Sequence, residues 1–116
     1  MDIVQRSDED IRVLAEAIWD DMIKGSNSKD WALFAKHMAA ESVTDQARAM
    51  VEHQWQYSKL FTSLIEQPEY MGILRQTDHV LVLFKQLSSK AEGEYLAMLY
   101  LKTIDDEVKV VGSWIR

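Results

Sequence analysis

The side chains best placed to do chemistry lie on the segment 45–61, whose apolar spacing predicts a helix. Three polar residues fall within or beside the predicted apolar face of this helix: His53, Gln54 and Tyr57. Polar groups on a buried face need partners, because an unsatisfied buried group costs about 1–3 kcal/mol. Either the core supplies those partners, or the face lines a cavity that contains water. The second interpretation predicts a ligand site that the aromatic residues Trp55, Tyr95 and Trp114 complete.

Two other functions remain as alternatives to a non-enzymatic domain that binds a small apolar or ring-containing molecule. One is an isomerase, cyclase or dehydratase without a cofactor, in which His53 or Glu41 acts as general base and Tyr57 donates a hydrogen bond. The other is a dimeric protein-interaction module. No nucleophile motif accompanies these residues, so the sequence assigns no catalytic residue.

Metal ions and organic cofactors are not expected. The three histidines lie 16 and 26 residues apart and form no paired ligand motif, and the chain has no cysteine. The four glycines are isolated from one another, so they form no loop that could cradle a phosphate. Acidic runs such as Asp8–Asp10 and Asp105–Glu107 are explained more simply as a helix cap and a solvated turn than as cation sites.

Composition limits the partners of the chain. Its 116 residues predict a single domain, residues 1–116. A net charge of −6 argues against general nucleic-acid binding, which needs a basic surface. The longest uncharged apolar runs, such as Tyr95–Leu101, are too short to cross a bilayer, and no apolar signal segment follows Met1. We therefore expect a cytoplasmic protein with no membrane partner.

The first half of the chain has the spacing of three helices. The first begins near Ile11 after a Ser7 capping sequence and is expected to stop at Lys24-Gly25. A short second helix follows Asn27-Ser28. Thr44 or Ser42 is the expected cap of the third helix, which runs to Phe61 or slightly beyond.

After Pro68 the period changes to that of β-strands. Four segments rich in β-branched and aromatic residues follow: Glu69–Gln76, His79–Ser88, Glu94–Ile104 and Val108–Ile115. The gaps between them are too short for parallel crossovers, so the strands pair as antiparallel hairpins. The predicted fold class is α+β, with three N-terminal helices packed on a strongly curved antiparallel sheet of four or more strands.

The last hairpin also predicts how the chain associates. If Asp105-Asp106 is a two-residue turn, Trp114 lies opposite Ala97 on the face that meets the helices. The outer face then keeps more apolar area than a monomer usually exposes. Its apolar residues are Leu96, Met98, Tyr100, Val111 and Ile115. We therefore predict a homodimer joined through the sheet.

The order of elements resembles that of the nuclear transport factor 2-like superfamily, which includes ketosteroid isomerase-like and polyketide cyclase-like enzymes, transport adaptors and proteins without a known role. The resemblance covers most of the chain and rests chiefly on the helices, including Asp30–Met38, and on the closing strand Glu107–Trp114. It implies a cystatin-like cone with a pocket between helices and sheet. Isomerase-like members place a carboxylate base near the position of Glu41, but where they have an aromatic hydroxyl on helix 1 this chain offers Ile18 and Trp19.

Overall fold

The computed structural model describes residues 1–116 as three helices followed by one open sheet. The elements are α1 (Asp8–Ser28), α2 (Trp31–Phe34), α3 (Asp45–Tyr57), β1 (Glu69–Arg75), β2 (Val80–Ser88), β3 (Ala91–Ile104) and β4 (Glu107–Ile115). All neighbouring strands are antiparallel and lie in chain order, β1-β2-β3-β4. The predicted α+β order, helices first and four antiparallel strands after Pro68, is confirmed.

Helix α1 is longer than its sequence predicts. Its start is as expected, since the Ser7 hydroxyl accepts a hydrogen bond from the Asp10 amide at 3.1 Å. The predicted stop at Gly25 is wrong, because the helix continues to Ser28 and ends at Lys29 in the left-handed conformation. Gly25 instead permits close packing: a Cβ there would lie 2.5 Å from the backbone nitrogen of Phe34. No helix of the fold is both long and apolar enough to cross a bilayer.

Helix α3 is shorter than predicted and is attached to the rest of the fold mainly at one end. Thr44 caps it as expected, with the Ala47 amide donating to the Thr44 hydroxyl at 3.0 Å. The helix ends at Tyr57, four residues before Phe61, and the chain continues through a 3-10 turn. Trp55 is its only buried residue.

The hydrophobic core lies between α1 and one face of the sheet, which we call the inner face. Val80, Val82 and Phe84 project from β2 onto this face and are fully buried. The ring of Phe84 stacks on the indole of Trp19 from α1, with centroids 6.1 Å apart. The buried side chain of Ile3 closes one end of the core. Large side chains therefore fill this end of the space between helix and sheet.

The β3–β4 hairpin starts in the predicted register and then departs from it. Asp105 and Asp106 both have positive φ and form the expected two-residue turn, and Leu101 pairs with Val110 as predicted. A β-bulge at Val111 then adds one residue to β4. Beyond the bulge the predicted pairing of Trp114 with Ala97 is wrong: Trp114 pairs with Met98, and Ile115 pairs with Ala97.

The bulge exchanges the faces of the last residues of β4. Ala97 is buried on the inner face, so its partner Ile115 also lies on that side and packs against the core. Side chains alternate along a strand, which places Trp114 on the opposite, outer face. The predicted position of Ile115 on the outer apolar surface is therefore wrong. Trp114 lies on that surface instead.

Candidate functional site

An open cleft of about 270 Å³ lies between α3 and the inner face of β4. It is lined by 20 residues, of which 15 are hydrophobic. The C-terminal half of α1 contributes the buried side chains of Trp19, Met22 and Ile23. A cavity between the third helix and the sheet was expected from the sequence, and the structure contains one at that place.

Helix α3 lines the cleft with a stripe at spacings of three and four residues. The stripe consists of Ala47, Met50, Val51, Gln54 and Trp55. His53 and Tyr57 lie outside it: both are exposed, and their rings contact each other, with centroids 4.7 Å apart. The predicted placement of these two side chains on the buried face is wrong. The sequence prediction extended the helix to Phe61, and this extension shifted the predicted buried face toward Tyr57. In the structure the helix ends at Tyr57.

Trp55 fixes the C-terminal end of α3 to the other helices. Its indole Nε1 donates to the Ser26 hydroxyl at 3.0 Å, and that hydroxyl donates in turn to the Phe61 carbonyl. The Phe34 ring meets the indole edge-on, with centroids 5.6 Å apart. The polar groups of this end are therefore paired within the protein.

The opposite end of α3 leaves the cleft open. Met50 is 61% exposed although it lines the cleft, and Val51 is half-buried. Apolar side chains facing a space that no other element fills are typical of a binding surface. The N-terminal half of α3 therefore forms one wall of a cleft that is accessible from solvent.

Two of the predicted aromatic residues lie outside the interior of the cleft. Tyr95 does not line it, and its hydroxyl donates to the Glu92 carbonyl at 2.7 Å. Trp114 contributes to the rim, but it is 54% exposed, and its ring contacts the Arg116 guanidinium at 5.6 Å on the outer face. Of the six predicted site residues, the structure therefore brings Gln54 and Trp55 together in the cleft and leaves Trp114 at its edge.

No residue that lines the cleft has an ionisable side chain. His53, Tyr57 and Glu41, the predicted base and hydrogen-bond donor, all lie outside it. Apart from the indole N–H of Trp114 at the rim, three lining side chains have polar groups without a hydrogen-bond partner in the protein: Ser42, Gln54 and Ser113. No group of three histidine, cysteine, aspartate or glutamate side chains is arranged to hold a metal ion. The cleft thus offers apolar contact and a few neutral hydrogen-bonding groups.

A short segment, residues 37–39, forms a further wall and is fixed to two elements. The Val110 amide donates to the His37 carbonyl at 2.7 Å, and the Ala39 amide donates to the Val110 carbonyl at 2.9 Å. The His37 imidazole lies 2.7 Å from a carboxylate oxygen of Asp21 on α1. Met38, between them, lines the cleft. The Asp21–His37 contact therefore helps to hold one wall in place.

The Asp21–His37 contact predicts a loss of stability in acid. The hydrogen bond from His37, assisted by the charge of Lys36, lowers the pKa of Asp21 below its ordinary value. A carboxyl group with a lowered pKa stabilises the fold above its unfolded pKa, near 4, and that stabilisation is lost as the pH falls through the folded pKa. We expect Asp21→Asn to reduce this dependence in urea unfolding at about pH 2–6. Glu92→Gln, at an exposed site, is the control, and equal pH profiles for Asp21→Asn and wild type would contradict the assignment.

Several lining residues could not be recognised individually in the sequence. The signal that identifies the α3 stripe is the four-residue spacing of Ala47, Val51 and Trp55. Ser113 enters the cleft only because of the β4 bulge, which no local pattern announces. The chain matches no family model and no curated protein.

Proposed function

We propose that the protein is a binding domain for a small, largely apolar, ring-containing molecule, held in the cleft between α3 and β4. The observation that carries the proposal is the lining, which is mostly hydrophobic and has no ionisable side chain. Removing apolar surface from water contributes about 25 cal/mol per Å². A ligand that covers Met50 and Val51 would remove apolar area that the free protein leaves in water.

The size of the cleft favours a ligand with about two fused rings. A cavity of about 150 Å³ lined by aliphatic and aromatic residues accommodates benzene, and this cleft holds about 270 Å³. Three methionines line it: Met22, Met38 and Met50. Their flexible thioether side chains adapt to ligands of different outline.

Binding is supported better than catalysis. Acid–base catalysis needs a titratable group within hydrogen-bond reach of the reacting atom. The cleft has no such group, and the exposed pair of His53 and Tyr57 does not line it. An isomerase-type reaction would therefore lack its base in this cleft.

Equilibrium dialysis with naphthalene tests the proposal. Naphthalene has two fused rings and no polar group, so its affinity reports apolar contact alone. We expect saturable binding of one molecule per chain with a Kd of the order of 10–100 µM, as the ligand efficiency of a molecule of this size allows. The absence of saturable binding up to the solubility limit of naphthalene would contradict the proposal.

We further propose that the architecture is that of the nuclear transport factor 2-like cone. The order of helices and strands supports this, as do the bulges in β1 and β4, because bulges bend and twist a strand. A cleft between the helices and the sheet is the feature this architecture implies. An experimental structure with a flat sheet would contradict it.

A second proposal concerns the outer face of the sheet, which we propose pairs with a second copy of the chain. Two adjacent rows of residues cross all four strands on this face: Leu74, Leu81, Tyr100 and Gly112, and Gly72, Leu83, Met98 and Trp114. The Tyr100 ring covers Gly112, where a Cβ would lie 3.3 Å from it. The His79 ring, from the turn between β1 and β2, lies beside Tyr100 with centroids 6.0 Å apart. Leu74 and Trp114, at opposite edges of the sheet, are at least half exposed.

The size of the outer face and the charges around these rows favour a second copy of the chain as the partner that covers them. The four strands have at least seven residues each and lie about 4.8 Å apart, so the whole outer face covers about 500 Å² per copy in projection, and two copies approach the lower limit of about 1,000 Å² for a specific interface. Charged residues on both sides of the rows carry both signs, as in the pairs Lys85–Glu94 and Lys102–Asp78. Two identical faces can therefore meet without opposing only like charges.

Light scattering tests the association. We expect wild-type protein at micromolar concentration to have twice the 13.5 kDa mass of the chain. Met98→Lys should give the monomer mass, since it places a charge at the centre of the apolar rows. Val13→Lys, at a 62% exposed position on α1, should remain dimeric. A wild-type mass of 13.5 kDa would contradict the proposal.

A further inference from the structure

We infer that the ligand of the cleft is uncharged and carries a hydroxyl, carbonyl or amide group that Ser42, Gln54 and Ser113 recognise. This inference rests on the proposed function and specifies the class of molecule that the cleft binds. It follows from two features of the lining: the absence of any charge, and the location of the polar groups that the protein itself leaves free.

The absence of charge on the lining selects against ions. Transferring a charged group out of water is costly unless an opposite charge or several hydrogen bonds compensate for it. None of the 20 lining residues is acidic, basic or a histidine. The net charge of −6 adds a general repulsion of anions. A carboxylate or an ammonium group on the ligand would therefore lose hydration without gaining a charged partner.

The free polar side chains occupy three different walls of the cleft. Ser42 lies in the turn before α3, Gln54 lies on α3, and Ser113 lies on β4 after the bulge. None of the three side chains hydrogen-bonds within the protein, whereas the Ser26 hydroxyl, which also lines the cleft, is used by Trp55 and Phe61. Hydroxyl and carboxamide groups both donate and accept. Together they can pair with a neutral polar group of either kind.

Four ligands with the same ring system and different substituents test the inference in equilibrium dialysis at pH 7: naphthalene, 2-naphthol, 2-naphthoate and protonated 2-(aminomethyl)naphthalene. We expect 2-naphthol to bind about 2- to 10-fold more tightly than naphthalene, which is the gain from one neutral hydrogen bond. Both ions should bind at least about tenfold more weakly than 2-naphthol.

A variant in which Ser42→Ala, Gln54→Ala and Ser113→Ala are combined tests which residues recognise the hydroxyl. Its ratio of naphthalene Kd to 2-naphthol Kd should fall towards one. Gln56→Ala is the matched control, because Gln56 lies on α3 outside the cleft and should keep the wild-type ratio. Loss of naphthalene binding by wild-type protein contradicts the proposed function itself. Naphthalene binding without a preference for 2-naphthol, equally tight binding of an ion, or an unchanged ratio in the triple variant contradicts only the inference about ligand class.

Discussion

Gln86→Leu is expected to lower the free energy of unfolding by about 2–4 kcal/mol, the largest stability effect of any single substitution considered for this protein. Gln86 is fully buried, and its side-chain oxygen accepts a hydrogen bond from the Trp19 indole at 2.9 Å. Its amide nitrogen donates to the Ile65 carbonyl at 2.8 Å. Leucine preserves most of the volume but removes the partner of the buried Trp19 indole N–H and of the Ile65 carbonyl. Chemical unfolding monitored by circular dichroism measures the loss.

Two further variants separate lost hydrogen bonds from lost packing. Gln56→Leu, at an exposed position of α3, should change stability by no more than about 0.5 kcal/mol. In a Trp19→Phe background the indole donor is absent, so Gln86→Leu should cost less than it does in wild-type protein. An equal cost in both backgrounds would show that the Trp19–Gln86 hydrogen bond does not contribute.

Ala47→Phe is expected to weaken naphthalene binding at least about tenfold, because it places a ring in the cleft where the ligand would lie. Ala47 is a half-buried lining residue near the start of α3, and its backbone amide bond to Thr44 does not depend on the side chain. Equilibrium dialysis gives the change in Kd.

Ala49→Phe is the matched control for this substitution. Ala49 lies on the same helix, two residues further on, but it is exposed and does not line the cleft. The control should bind naphthalene with wild-type affinity within about twofold. Equal affinities for Ala47→Phe and Ala49→Phe would place the ligand somewhere other than this cleft.

Local sequence patterns predicted the elements well where one interaction dominates. Thr44 caps α3 because its hydroxyl satisfies a free helix amide, and this signal is independent of the rest of the fold. Gly25 was misleading for the opposite reason. Its sequence context is that of a helix end. The position requires glycine for another reason, because the backbone of α2 packs against it, and this contact exists only in the folded protein.

The site was harder to predict than the fold, since small errors in helix length and strand register exchange its residues. Ending α3 at Tyr57 leaves Trp55, and not Tyr57, on the buried side. One extra residue at Val111 brings Ser113 and Ile115 to the cleft and moves Trp114 to the outer face. A cleft lies between α3 and the sheet, but of the three polar side chains predicted to line it, only Gln54 does so.

The six methionines allow the most direct test that the cleft is the binding site. Met22, Met38 and Met50 line the cleft, whereas the other three, Met1, Met71 and Met98, lie outside it. In a spectrum of protein with ¹³C-labelled methionine methyl groups, naphthalene should shift the first three signals through its ring current. The remaining three signals should stay in place. Unchanged signals for Met22, Met38 and Met50 at saturating naphthalene, or shifts confined to Met71 and Met98, would contradict the account.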